Sequence, residues 1–274
     1  MSARRKLSPC LHGVDFTSSP RKAKPITLAS GRLHNEILRL ESLQTFDTFG
    51  SFSTWLTQPG PWVGGFDFPF SLPRELVELL DWPTQWSALI HHYASLSREE
   101  VRATFQAICD ARPAGNKFIH RTTDRIAKSS SSMKWVNPPV AYMLHAGAPL
   151  LLQAGVSIPR MHKGDADRIA LEAYPGLVAR SITHESYKND SKALHTPARR
   201  AARLSIIKAL EKGEHPKHLR LDAGAFRQQL LDDGSGDLLD AVLCLILAAW
   251  GWQRRDSDYG LPPHDPLEGW IVGA

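Results

Sequence analysis

Apolar residues recur along this chain with two periods, and the changes of period mark out its elements. From Leu11 to about Leu43 they form short clusters: Leu11 to Phe16, then Lys24–Leu28, then Glu36–Leu43, with Ser30-Gly31 as turn material. Clusters this short and closely spaced predict three strands in an antiparallel meander. The third is ambiguous, because Ile37-Leu38, Leu40 and Leu43 also fit a helical stripe. From Phe46 to Leu56 the period lengthens. Phe49, Phe52, Trp55 and Leu56 fall at three- and four-residue spacing and predict a helix, closed by Gln58-Pro59-Gly60-Pro61. Trp62–Phe70 (WVGGFDFPF) then reads as an apolar strand whose glycines predict close approach of another backbone or a ligand.

Residues 72–160 read as an inserted helical region. Leu72–Leu80, Trp86–Tyr93 and Arg98–Ala111 carry helical periodicity, and Ser97 followed by Glu99-Glu100 reads as a cap and acidic first turn. The polar segment Arg112–Met133 interrupts the pattern, and a helix over Asn137–Leu152 follows. Arg168–Pro175 (RIALEAYP) predicts another strand, and residues 176–183 the start of a helix. Ala198–Leu210 is a basic amphipathic helix, with a second helix near Ala223–Leu231. Gly236–Trp252 (GDLLDAVLCLILAAWGW) is the last long helix, and Glu268–Val272 a short edge strand.

Composition narrows the class. The chain has 274 residues, 42% hydrophobic and 22% charged, enough for one domain with a sizeable core. Its first ten residues read as a disordered basic leader, without the apolar core of a secretory signal, and residues 11–274 as a single domain. No apolar run approaches the roughly 18 residues of a membrane span. The three cysteines, Cys10, Cys109 and Cys244, show neither metal-ligand spacing nor a disulfide framework, so a cytoplasmic location is expected. A formal net charge of +5 permits a polyanionic partner without demanding one.

The chemistry worth following is carboxylate chemistry. Asp15 ends the first strand in HGVDFTSSP, where hydroxyls and backbone donors follow it; the same residue could simply start a turn. Asp67 is the lone acid of an apolar strand, costly to bury unless paired, metal-bound or bonded to the following turn. Glu172 is the single acid of its strand, almost at its end. Asp237 and Asp240 open the last helix three residues apart, on one face, and a cap needs only one of them. The segment Arg112–Met133, with Lys117, His120 and Arg121, reads either as a phosphate-contacting loop or as solvated surface.

Seven blocks together carry a resemblance: GVDFTSSP (13–20), PWVGGFDFPF (61–70), AGNKFIHRTTD (114–124), LEAYPG (171–176), YKND (187–190), GDLLDAV (236–242) and EGWIV (268–272). As a set they resemble the uncharacterised domain family 429 (DUF429), a predicted nuclease branch of the ribonuclease H-like superfamily. The resemblance implies an α/β fold, a mixed five-stranded sheet flanked by helices with a helical insertion at about 72–160. The first strand, the fourth strand and a late helix would bring acids to one edge of that sheet. It implies metal-dependent hydrolysis of phosphodiester bonds in DNA or RNA. Asp15, Asp67 and Asp240 would hold one or two Mg2+ or Mn2+ ions, Asp15 bridging them where there are two, with Asp237 and Glu172 beside them. Lys117, His120, Arg121 and Lys188 would contact the substrate, or His120 would assist proton transfer. The competing expectation is a non-enzymatic nucleic-acid-binding or scaffold protein on the same fold.

Overall fold

The computed structural model describes residues 9–274. The basic leader expected over residues 1–10 lies mostly outside these, and Cys10 already opens the first strand. The meander forms, with β1 (Cys10–Asp15), β2 (Ile26–His34) and β3 (Ile37–Phe46) pairing antiparallel in sequence, but Ser30-Gly31 is not its turn: the pair sits inside β2 at a break in register, and the chain turns at Asn35-Glu36, where Asn35 takes φ +55°. The ambiguous third element is a strand, because its apolar side chains are used in alternation: Leu38 and Leu40 are buried while Ile37, Arg39 and Glu41 face out. Helix α1 (Phe49–Leu56) returns the chain to β4 (Trp62–Asp67), which lies parallel to β1. Thr48 caps α1 by accepting from the Ser51 N–H.

Helices α2 (Arg74–Leu79), α3 (Trp86–Ser95), α4 (Arg98–Asp110), α5 (Thr122–Ala127) and α6 (Val140–Ala154) follow before the chain re-enters the sheet. Ser97 and Glu100 form a reciprocal capping box at the start of α4, satisfying two donors that the first turn would otherwise leave free. Next come β5 (Val156–Ser157), β6 (Asp165–Glu172), α7 (Pro175–Ile182), α8 (Pro197–Lys212), β7 (Arg220–Asp222), α9 (Arg227–Asp232) and α10 (Asp237–Gln253). Among the described residues the sheet has seven strands, in the order β5-β6-β4-β1-β2-β3-β7, which corrects the expected five. The two additions are edge strands of two and three residues, too short to leave a periodic signal in the sequence. The segment expected as a C-terminal strand makes one bridge, Ile271 to Glu172, and no longer ladder.

The sheet separates two apolar cores. Val14, Leu28 and Phe66 pack with α1, α3 and α6 on one face; Leu11, Ala29 and Val63 pack with α7, α8 and α10 on the other. Helix α10 is buried along almost its whole length, so its sequence is apolar all round. It lies close to the sheet because two paired strand positions are glycine. Gly13 and Gly65 are register partners in β1 and β4. A Cβ on Gly13 would lie 2.0 Å from the Ala241 carbonyl oxygen, and one on Gly65 would lie 2.6 Å from that of Cys244. Among the described residues no helix is long and apolar enough to cross a membrane.

Candidate functional site

Two residues beyond that glycine pair, on the same face of the sheet, stand Asp15 and Asp67, again register partners at the ends of adjacent parallel strands. Helix α10 begins above them. Its first turn carries Asp237 and Asp240, and the glycine-permitted approach brings Asp240 to the two strand acids. Asp15, Asp67 and Asp240 thus form one electrostatic cluster. Asp15 is 9% exposed and Asp240 fully buried. Burial first, then Asp240 and Asp237, push the Asp15 carboxyl well above its ordinary value. Burial and Asp240 raise Asp67 to about 7.

The acids differ in how they are partnered. Asp240 is saturated: Tyr187 Oη donates to its Oδ1 at 2.5 Å and the Lys188 ammonium pairs with its Oδ2. Asp237 pairs with Lys24 Nζ at 2.8 Å, and the same ammonium reaches Asp190 at 2.7 Å. Burial opposes the charge on Lys24, but these bonds outweigh it and raise its pKa. The side-chain carboxylates of Asp15 and Asp67, among the described residues, have no hydrogen-bond or ion-pair partner. Both open into a cleft of about 640 Å³, lined also by Lys24, Lys188, Tyr174, Pro139 and Met143.

Glu172 plays a different part. Its Oε1 and Oε2 take Arg121 Nη2 at 2.6 Å and Nη1 at 2.8 Å, and Oε2 also accepts from the Phe70 N–H at 2.9 Å. Arg121 in turn donates to Asp124 and to the Glu268 carbonyl, and is 1% exposed. Sequence reasoning assigned Arg121 to substrate phosphates. The structure instead commits it as a buried clamp tying the start of α5 to β6 and the C-terminal segment, since a desolvated guanidinium needs every donor filled. The polar segment 112–133 is therefore not one wet loop. Lys117 is exposed, His120 is half-buried with its Nδ1 3.1 Å from the Phe118 carbonyl oxygen, and neither lines the cleft. Lys188 does. Sequence reasoning missed Lys24, one cation among many in a basic stretch, and the hydroxyl of Tyr187, although YKND was singled out as a block.

Whether a divalent ion fits turns on the orphaned pair. Two unpartnered carboxylates side by side are hard oxygen donors of the kind Mg2+ and Mn2+ take, usually with water completing the shell, and the pair fits such an ion. Among the described residues no three His, Cys, Asp or Glu side chains converge as a ready-made metal cage. Asp240 is turned to Tyr187 and Lys188. A family profile described as "Protein of unknown function (DUF429)" matches residues 13–266, a span that contains every acid of the site. No curated protein and no solved structure matches the chain.

Proposed function

We propose that this chain, which belongs to the DUF429 family, is a divalent-metal-dependent hydrolase of phosphodiester bonds in nucleic acid. The observation that carries the reading is the Asp15–Asp67 pair: two carboxylates without a hydrogen-bond or ion-pair partner among the described residues, the first buried and the second half-buried, at neighbouring strand ends that open into a cleft. Leaving such groups bare is costly, and a site that keeps two of them is arranged for a cation. The resemblance to the ribonuclease H-like superfamily agrees with this reading. The first strand, the fourth strand and a late helix carry the acids, as the resemblance implies, and the central strands β3-β2-β1-β4-β6 form a mixed sheet in which β2 alone runs against its neighbours.

In this reading Asp15 and Asp67 hold Mg2+ or Mn2+, and Lys188 stands at the cleft wall. A bound divalent ion would acidify its water and neutralise charge on the phosphate. Pro138, Pro139, Val140 and Met143, which also line the cleft, would offer apolar surface to a base or sugar. The test is cleavage of labelled single- and double-stranded DNA and RNA with Mg2+ or Mn2+, comparing wild type with Asp15→Asn and Asp67→Asn. Wild type should cleave at least one substrate only when metal is present, and each variant should fall by about a hundredfold or more, the scale of losing a group that stabilises the transition state. Folded protein that cleaves none of the four rejects the enzyme and leaves the nucleic-acid-binding or scaffold alternative.

A further inference from the structure

Lys188 is placed unlike an ordinary substrate-binding lysine. Its side chain is 44% exposed, yet its ammonium pairs with Asp240, whose side chain has no exposure. The segment that carries it is fastened on several sides. Arg203, itself buried, donates to the Tyr187 carbonyl at 2.7 Å. The Asn189 N–H donates to the Gly234 carbonyl at 3.1 Å. Lys24 staples Asp190 to Asp237. Gly236 has φ +79° and would put a Cβ 2.6 Å from Lys188 Cβ, so only glycine lets the segment close on the start of α10. A side chain held by its backbone in this way belongs to the centre.

We propose that Lys188 is a built-in cation of the carboxylate centre, so that the centre takes one divalent ion, at Asp15 and Asp67, rather than two. The inference rests on the metal-dependent reading above. Both oxygens of Asp240 are already engaged, one by Tyr187 and one by Lys188, and the residue is out of reach of water. To ligate a second ion it would have to surrender both partners in a desolvated position. Charge agrees. With Asp237 balanced by Lys24, the carboxylates of Asp15, Asp67 and Asp240 in their ionised, ion-binding forms against the ammonium of Lys188 sum to two negative charges, the balance that one divalent ion meets. Asp240 is then a positioning residue, holding the ammonium beside the ion.

The test is the stoichiometry and affinity of Mn2+, read on the full chain by calorimetry and by the electron paramagnetic resonance of free Mn2+, with no substrate present. Wild type should bind one ion per chain. Lys188→Met should bind that ion about tenfold or more tightly, because a repelling charge is gone and Asp240 is bare, a gain of about 1.4 kcal/mol. The double variant Lys188→Met/Asp240→Asn removes both charges and so avoids leaving a bare buried acid if the single variant fails to fold. It should still bind one ion, within about threefold of wild type, because the loss of one charge of each sign nearly cancels. Two ions per wild-type chain, or a double variant weakened about thirtyfold or more, would show Asp240 to be a ligand and overturn the inference while the metal reading stands. No ion bound to wild type would overturn the metal reading itself.

Discussion

Asp67 shows how much a single side chain here depends on its surroundings. In sequence it is one acid among apolar neighbours. In the fold, burial and Asp240 raise it from 3.8 to about 7. The native state then binds a proton that the unfolded state has released between those two values, so without metal stability should fall as pH rises from about 4 to about 7. Asp67→Asn removes that penalty. The variant should be more stable than wild type at pH 8 and lose the advantage near pH 4, as read from urea midpoints in chelator. A variant less stable than wild type at pH 8 would refute the raised value. Arg121 and Glu172 make the complementary point. Both types are usually exposed, and nothing local marks this pair as buried partners 51 residues apart. The sequence could flag the residues but not their pairing, because a buried ion pair is defined by what lies opposite.

At the scale of elements, α10 against β1 and β4 decides where the carboxylates meet. The helix was legible as an apolar run with acids at its start, and the strands as apolar runs ending in acids. The distance between them was not, because it depends on Gly13 and Gly65 facing the helix rather than the other core. Gly13→Ala would drive a methyl group into the backbone of Ala241 and Leu245. Overpacking typically costs about 1–3 kcal/mol, and a contact with helix backbone leaves little room to adjust, so the loss should be about 3 kcal/mol or more in denaturant unfolding. Gly50→Ala serves as control. It lies in the exposed part of α1, where the added Cβ meets only the Thr48 hydroxyl at 3.9 Å, and it should gain about 0.5–1 kcal/mol. Equal stabilities for the two variants would mean that the glycine pair does not set the helix position.

At the scale of the whole molecule the proposed ion at the Asp15–Asp67 pair would couple binding to folding. An ion that binds only the native chain stabilises it by mass action, about 2.7 kcal/mol at one hundred times its Kd. For a domain of this size each kcal/mol is worth about 2–4 °C in Tm, so Mn2+ should raise Tm by several degrees in wild type and leave Asp15→Asn/Asp67→Asn unmoved. An unmoved wild type, or an equal rise in the double variant, would remove the pair as the binding site. The sequence by itself determined the alternation of strands and helices, the meander, the long buried helix, the family, and the acids at element ends, because these follow from local periodicity, turn chemistry and residue order. The tertiary structure decided the rest. It added the short edge strands, buried Arg121 against Glu172, set Lys117 and His120 away from the cleft, and turned Lys188 onto Asp240. Each of these depends on contacts between residues far apart in the chain, where desolvation and the available partner, rather than the residue's own preference, settle whether a charge is paired, buried or left free.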